Sequence, residues 1–312
     1  MPRALVVGID EYPGSPLFGC VADATRMARL LERHEDGAVN FHVSLQRHVR
    51  EKAVLRDLIT ELFSGEGELA VFYFSGHGML SDTGGVIVTP DYRPGEEGIT
   101  MDYILNLANR SAFINKVIIL DCCHSGAMGT PAVMNNGATM LANGVTILTA
   151  SRYFEPAMER NGQGIFTKLV AEALEGGAAD LGGHVTPGSI YSYVDKALGY
   201  WGQRPVFKTN ISRFVSLRKV NPPVPLKELQ SIVQHFNRPD ALLQLNPSYE
   251  HTSETADANN VRIFQQLQSL YRAGLLEPVE EDYMYWTAMR SKSCRLTRLG
   301  RYYWQLIADN RI

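Results

Sequence analysis

Apolar runs alternate with amphipathic stretches through the first two-thirds of the chain. The apolar runs that predict strands lie at 5–9, 41–45, 69–72, 86–88, 117–120 and 145–150. The stretches with apolar side chains at helical spacing lie at 23–33, 52–63, 101–108, 167–174 and 189–198. A final apolar run at 213–217 is expected to close this unit. Such alternation predicts an α/β fold, in which helices cover both faces of one sheet.

The composition changes at 220–225, where the sequence Val-Asn-Pro-Pro-Val-Pro is rich in proline and lacks glycine. Because such a stretch is a stiff, extended linker, we assign 1–218 to one domain, 219–226 to the linker and 227–312 to a second domain. The second domain is expected to contain helices at 227–236, 259–273 and 299–308, strand-like runs at 283–287 and 293–296, and Gly274 at the end of its second helix. Helices followed by a hairpin are typical of a small α+β domain of the winged helix-turn-helix kind.

Composition restricts the classes of function. With 45% hydrophobic and 20% charged residues, the chain is typical of a folded globular protein. Its net charge of −3 argues against broad nonspecific binding of nucleic acid. No apolar run approaches the roughly 18 residues that cross a bilayer, and no signal-peptide pattern precedes the first strand. Four cysteines, two of them adjacent, do not indicate a disulfide framework, so we expect a cytoplasmic protein with no membrane partner.

Two of the predicted strands end in reactive side chains. The run at 69–72 leads into Ser75-Gly76-His77-Gly78, and the run at 117–120 leads into Asp121-Cys122-Cys123-His124-Ser125-Gly126. In parallel α/β sheets, ligands bind at the carboxyl ends of the strands. A thiolate nucleophile with an imidazole beside it is the chemistry of a cysteine protease.

These segments resemble the SGHG and D-x-C-H-S-G signatures of the caspase-like cysteine peptidases, in the metacaspase and orthocaspase branch. Gly19-Cys20-Val21-Ala22-Asp23-Ala24 resembles a third motif of that family, G-C-x-N-D-A. The three motifs occur in the family's order, and the resemblance covers about 1–217. It implies the caspase–haemoglobinase fold, a three-layer sandwich around a mostly parallel sheet of six strands.

The resemblance also implies catalytic roles. Cys123 occupies the position of the nucleophile, and Cys122, whose side chain would point to the other face, is assigned to the core. His77 is the general base, or the imidazolium partner of the thiolate. The backbone N–H groups of Gly78 and Cys123 would form the oxyanion hole. We identify no third catalytic group, and a structural role is favoured for His124.

Four further residues are implied to form the S1 pocket, which holds the substrate side chain before the cut. Asp23 and Asp121 supply two carboxylates, while Cys20 and Ser75 complete the wall. Because two carboxylates in a narrow pocket call for a cation, the resemblance predicts cleavage after Arg or Lys rather than after Asp. Taken alone, Asp23 is equally well explained as an acid at a helix N-terminus. The family's usual Asn is Ala22 here, which leaves the carboxylate in place.

A calcium site, common among metacaspases, is disfavoured. The segment that carries the family's acidic cluster is shortened to 79–85, and the following acids, Asp91, Glu96, Glu97 and Asp102, are scattered. Since Ca²⁺ takes about six to eight oxygen ligands, we predict an enzyme that needs no metal or other cofactor.

Self-processing between the cysteine strand and the next strand is also disfavoured. Residues 117–151 contain no Lys or Arg, so an enzyme that cuts after basic residues has no target there. We expect either an active single chain or a zymogen cut elsewhere, at Arg152, Arg160 or the Arg218-Lys219 step.

The second domain carries a basic stretch at its hairpin and last helix. Its members are Arg290, Lys292, Arg295, Arg298 and Arg301, and four acids at 277–282 nearly balance their charge. We therefore favour a regulatory protein partner at this domain over nucleic acid. The sequence predicts a cysteine endopeptidase that cuts after Arg or Lys through a Cys-His dyad. The alternative is a catalytically silent caspase-like scaffold or a winged-helix regulator that binds DNA.

Overall fold

A computed structural model of the protein describes residues 1–81, 84–122, 140–150, 159–160, 163–199 and 204–312. Contacts within the chain divide it into two compact units, Met1–Asn221 and Pro222–Ile312. No helix in these described ranges is both long and apolar enough to cross a bilayer.

The first unit alternates strands and helices. Its strands are β1 (Arg3–Gly8), β2 (His42–Gln46), β3 (Glu66–Ser75), β4 (Gly78–Ser81), β5 (Gly84–Arg93), β6 (Glu96–Thr100), β7 (Ala112–Asp121), β8 (Val145–Thr149), β9 (Glu159–Arg160), β10 (Gln163–Gly164), β11 (His184–Val185), β12 (Val206–Asn210) and β13 (Arg218–Lys219). Its helices are α1 (Cys20–Glu32), α2 (Lys52–Phe63), α3 (Met101–Arg110), α4 (Ile165–Glu172) and α5 (Pro187–Leu198). A π-helical turn at Ala173–Gly177 continues α4.

A six-stranded sheet with the order β12-β8-β7-β3-β1-β2 forms the centre of this unit. Neighbouring strands are parallel except for β12, which runs antiparallel to β8. The predicted mostly parallel sheet of six strands is thereby confirmed. In the register of the three middle strands, Ser75 lies beside both Gly8 and Asp121. The carboxyl ends of β1, β3 and β7 therefore share one edge, and the segments that follow them start there.

Both faces of the sheet are buried. On one face, Met27 and Leu31 of α1 join the strand residue Val71 in a cluster that includes residues of α4 and α5. On the other face, Ile59 of α2 and Phe72 join a cluster with residues of α3. Strands buried on both faces read as continuous apolar runs, which is why 69–72 and 117–120 do not alternate with polar residues.

Two segments of the first unit differ from the sequence interpretation. The predicted short strand at 86–88 is the middle of β5, which pairs with β4 and β6 in a separate antiparallel sheet. The run at 213–217, expected to close the unit, forms no strand, and β12 takes the edge of the central sheet instead. Val215 and Leu217 are apolar because they pack into the core cluster, not because they pair with the sheet.

The second unit combines short helices with a small sheet. Its elements are α6 (Leu226–Gln230), α7 (Ile232–His235), β14 (Leu242–Gln244), a 3₁₀ turn (Pro247–Tyr249), α8 (Ala258–Arg272), β15 (Leu276–Val279), α9 (Met284–Met289), β16 (Ser293–Leu296) and α10 (Arg298–Ala308). Its strands are antiparallel in the order β14-β16-β15. Gly274 follows α8 with a φ of 71°, a left-handed conformation that suits glycine and ends the helix as predicted.

The predicted strand at 283–287 was wrong, because residues 284–287 belong to α9 and Tyr283 is its N-cap. Met284, Thr287 and Ala288 are buried, and their spacing of three and four residues is that of one helix face. The aromatic side chains Tyr285 and Trp286, which suggested a strand, lie exposed on the other side. The antiparallel partners of β16 are β15, which precedes α9, and β14, and the sequence interpretation missed both.

Close packing of α1 on the end of β1 depends on Gly8. A Cβ at this position would clash with the carbonyl oxygen of Cys20 and lie 2.7 Å from the Cβ of Ala24. We predict that Gly8→Ala lowers the free energy of unfolding by about 1–3 kcal/mol, the usual cost of overpacking. Urea unfolding followed by circular dichroism measures it. The matched control is Gly188→Ala, because the nearest atom to a Cβ there is 3.9 Å away. Equal midpoints for the two variants would contradict this account of the α1–β1 contact.

Candidate active site

The loop between β1 and α1 meets the residues that follow β3. His77 comes two residues after the last residue of β3, and its imidazole Nε2 lies 2.8 Å from the carbonyl oxygen of Ser15. The hydroxyl of the same serine lies 3.3 Å from Nε2. Because a carbonyl oxygen only accepts, Nε2 carries the proton in this hydrogen bond. In the neutral ring, Nδ1 is then the nitrogen that can take a proton.

Tyr12 fixes the backbone of His77. Its hydroxyl accepts from the His77 N–H at 3.1 Å and donates to the Val88 carbonyl at 3.2 Å, while its ring meets the imidazole edge-on with centroids 4.5 Å apart. The Val88 N–H in turn donates to the His77 carbonyl at 2.9 Å. Burial raises the pKa of Tyr12, which keeps the phenol a donor. A Cβ on Gly76 would lie 2.5 Å from this hydroxyl, so the glycine is needed for Tyr12 to reach the histidine.

Asp10, in the loop before α1, holds the first turn of that helix through its side chain. Its carboxylate accepts from the backbone N–H of Cys20 at 2.8 Å and of Val21 at 3.3 Å. These N–H groups belong to the first turn of the helix and have no partner within it. The N-cap residue itself, Gly19, has no side chain to serve them. Asp10 therefore anchors the turn that also carries Asp23.

The two predicted pocket carboxylates lie against one glycine. Asp23, in the first turn of α1, is 5% exposed, and Asp121, the last residue of β7, is 7% exposed. The backbone N–H of Gly164 donates to Asp23 Oδ2 at 3.1 Å. A Cβ on Gly164 would clash with Asp121 Oδ2 and lie 3.2 Å from Asp23 Oδ2. The two acids, distant in sequence, thus face the same point at the edge of the sheet.

Thr167 in the first turn of α4 binds Asp121 twice. Its hydroxyl and its backbone N–H lie 2.6 Å and 3.2 Å from Asp121 Oδ2. The same hydroxyl lies 2.6 Å from the hydroxyl of Tyr73. The pKa of Tyr73 is raised well above its ordinary value by burial and then by the negative charges of Asp121 and Asp23.

Of the remaining predicted site residues, the structure describes all except Cys123. Cys20 and Ser75 are buried at the same sheet edge, on the first turn of α1 and at the end of β3. Cys122 is 1% exposed and packs in the apolar cluster on the α2 and α3 face. Gly78 starts β4. Cys123, with its backbone N–H, lies outside the described residues.

Two of the acids after the histidine motif, Asp91 and Glu97, accept hydrogen bonds from the backbone. Both oxygens of Asp91 accept from the N–H of Lys52, at 3.1 and 3.0 Å. Glu97 accepts from the N–H of Gly95 at 2.8 Å. Within the described part of the chain, no group of three or more His, Cys, Asp or Glu side chains is arranged to hold a metal ion.

Sequence reasoning missed six residues of this site, namely Asp10, Tyr12, Ser15, Tyr73, Gly164 and Thr167. Ser15 acts through its carbonyl, which no sequence pattern reveals. Tyr12 lies in the loop that leaves the carboxyl end of β1, and that position was the one available signal. Gly164 and Thr167 lie about 40 residues beyond the cysteine motif, and only the packing of α1 against α4 and β10 brings them to the acids.

Comparison with known proteins shows the family of this chain. The model of the caspase domain matches residues 1–216. Caspase-1 from Spodoptera frugiperda shares 12% sequence identity with this chain and superimposes with a TM-score of 0.51, over 70% of this chain and 90% of its own. Protein GSU0716 from Geobacter sulfurreducens shares 17% identity with a TM-score of 0.48, over 70% of this chain and 96% of its own.

No curated protein matches the chain. At 12% identity, the likeness to the insect caspase shows the fold alone, and the family model gives the membership. Since that model covers well over half of the sequence, this protein belongs to the caspase domain family, a family of cysteine peptidases.

Proposed function

We propose that this protein is a cysteine endopeptidase of the metacaspase-like branch that cuts peptide bonds after Arg or Lys. The observation that carries the proposal is the pair of buried carboxylates, Asp23 and Asp121, facing Gly164 at the sheet edge from which His77 also extends. The branch assignment rests on the three sequence motifs.

The proposed chemistry uses a Cys-His dyad. With Nε2 bound to the Ser15 carbonyl, Nδ1 of His77 takes the proton of the Cys123 thiol. The thiolate attacks the carbonyl carbon, and the N–H groups of Gly78 and Cys123 stabilise the oxyanion. His77 then protonates the leaving amine as the C–N bond breaks and a thioester forms. Water, deprotonated by His77, hydrolyses the thioester and restores the thiol.

Charge at the pocket supports a basic substrate side chain. Removing a carboxylate from water costs several kcal/mol unless hydrogen bonds or an opposite charge offset the loss. Asp23 and Asp121 receive hydrogen bonds from the Gly164 N–H and from the N–H and hydroxyl of Thr167. A guanidinium or ammonium group of the substrate would add charge-assisted hydrogen bonds to these carboxylates. A substrate Asp would instead bring a third negative charge, which like-charge repulsion disfavours.

The proposed enzyme works without proteolysis at the end of its first unit. Arg218 lies in β13, which pairs with β11, and its side chain donates to the carbonyls of Leu174 at 2.8 Å and Arg33 at 3.1 Å. A bond held in a strand by its own Arg side chain is not presented to a protease cleft. This disfavours the Arg218-Lys219 step, whereas Arg152 lies outside the described residues.

The second unit is proposed to be a winged-helix-like module that docks a regulatory protein. Its antiparallel strands β15 and β16, which follow α8 and are connected through α9, support the winged-helix assignment. Three of the basic residues at the predicted hairpin are engaged by acids of the same unit. These ion pairs are Arg290–Glu281 at 3.1 Å, Lys292–Glu280 at 2.6 Å and Arg295–Glu277 at 2.7 Å. Because these cations are already neutralised, a phosphate backbone is a weaker candidate ligand than a protein surface.

The nucleophile can be tested with two neighbouring cysteines. We predict that Cys123→Ala abolishes hydrolysis of fluorogenic peptides with Arg or Lys at P1, because no thiolate remains. The matched control, Cys122→Ala, alters a buried core residue and is expected to retain activity. His77→Ala is expected to lower kcat/KM by about 10²–10⁴-fold, the usual contribution of a general base. Loss of activity in the Cys122 variant alone would reverse the assignment, and silence of the wild type would favour the scaffold alternative.

Specificity can be tested by removing charge from the acid pair. We predict that Asp121→Asn or Asp23→Asn lowers kcat/KM for Arg peptides by about 10²–10³-fold, because the guanidinium of the substrate would lose a buried carboxylate partner. The control is Asp57→Asn, an exposed acid on α2. Peptides with Arg, Lys and Asp at P1 are compared for each variant. Faster cleavage after Asp than after Arg by the wild type would refute the basic pocket.

Independence from calcium is a further prediction. The Asp91 and Glu97 carboxylates bind backbone N–H groups, and we expect chelated enzyme to cleave Arg peptides as fast as enzyme with millimolar Ca²⁺. The measurement is the initial rate across a calcium titration, with magnesium as the control ion. A steep rise on adding calcium alone would contradict the prediction.

A further inference from the structure

A chain of three buried side chains ends at one oxygen of the acid pair. Tyr73 and Thr167 are fully buried at 0% exposure, and Asp121 is 7% exposed. The hydroxyl of Thr167 lies 2.6 Å from the hydroxyl of Tyr73 and 2.6 Å from Asp121 Oδ2. The backbone N–H of Thr167 reaches the same carboxylate oxygen at 3.2 Å.

The direction of these hydrogen bonds follows from the number of protons. A threonine hydroxyl has one proton, and an oxygen that receives a backbone N–H acts as an acceptor. Thr167 therefore donates to Asp121 and accepts from Tyr73. The pKa of Tyr73 is raised, first by burial, so the phenol keeps the proton that it donates. Two donors on Oδ2 favour the ionised form of the Asp121 carboxyl.

Each acid has its own donors from the segment that begins at β10. Gly164 donates its N–H to Asp23, and Thr167 donates to Asp121. Without donors, two carboxylates facing one glycine would tend to share a proton, because like charges at close range disfavour double ionisation. A pocket with one protonated acid would attract a cation less strongly.

We propose that Thr167, held by Tyr73, is a specificity-determining positioning residue, which keeps Asp121 an oriented carboxylate for the guanidinium or ammonium group of the substrate. The proposal rests on the proposed function, since it concerns how the same pocket selects a basic side chain. Thr167 acts through Asp121, and its effect is confined to substrates or ligands that carry the positive charge.

The test compares an arginine peptide with its citrulline counterpart, which has nearly the same shape without the charge. We expect Thr167→Val to lower the Arg-to-citrulline ratio of kcat/KM about tenfold, the low end for a lost hydrogen bond to a charged group. Most of the change should appear in KM for the Arg peptide. Thr167→Ser keeps the hydroxyl and should restore the ratio, and Tyr73→Phe should lower it in the same direction. Thr146→Val is the matched control, because Thr146 is also buried and bonded through its hydroxyl, to Thr209 at 2.8 Å.

Binding of agmatine, the decarboxylated form of arginine, is measured by calorimetry on the full chain as a readout independent of catalysis. Agmatine binding that weakens in Thr167→Val and recovers in Thr167→Ser supports the proposal even if the wild type cleaves nothing, an outcome that refutes only the proposed function. Cleavage after Arg with an unchanged Arg-to-citrulline ratio in Thr167→Val overturns the proposal and leaves the protease. If Thr167→Val fails to fold, Tyr73→Phe decides by the same ratio. Absence of both cleavage and agmatine binding in the wild type overturns both.

Discussion

The burial of two carboxylates at one edge of the central sheet constrains the parts of the chain that surround it. Each ion removed from water costs several kcal/mol unless the protein replaces the lost hydration. The replacement here includes backbone N–H groups and a hydroxyl, supplied by Gly164 and Thr167. A Cβ at position 164 would clash with Asp121, so the residue that donates this N–H must be a glycine.

The acids and the histidine are held by different means. Asp121 ends a central strand and Asp23 lies in the first turn of a helix, so both stand on regular elements whose places are set by the core. His77 depends on a loop, in which Tyr12 holds its backbone and the Ser15 carbonyl holds its ring. Asp10 links the two arrangements, because it lies in that same loop and caps the helix that carries Asp23. A change in this loop would therefore act on the histidine and on the acid pair together.

Much of the fold could be predicted because burial on both faces leaves continuous apolar runs in the strands. The helix at 52–63 was predicted with its observed bounds, since its apolar positions are spaced for one face. The segment at 283–287 was misassigned because aromatic residues favour strands, whereas the buried positions of α9 follow a helical period. The edge strand β12 was missed because the run at 213–217, which is more apolar, was interpreted as the last strand of the first unit.

The residues of the candidate site also differ in how well the sequence predicts them. His77, Asp23 and Asp121 could be predicted as site residues because short motifs carry them next to strand or helix ends. Thr167 and Tyr73 were not, since an ordinary threonine in a helix and an aromatic residue in a buried strand have no local signature. Their contacts with Asp121 and with each other exist only because α4 packs against the end of β7. Sequence patterns thus predict the groups with distinctive chemistry more readily than the groups that orient them.

The most direct measurement of the central claim is covalent labelling of the site. Acyloxymethyl ketone probes with Arg or Asp at P1 are incubated with the full chain at equal concentration, and the adduct is located by mass spectrometry. The account predicts an adduct on Cys123 from the Arg probe alone, suppressed by excess agmatine and absent in Asp121→Asn. An adduct on Cys122, equal labelling by the Asp probe, or no labelling by the Arg probe would contradict it.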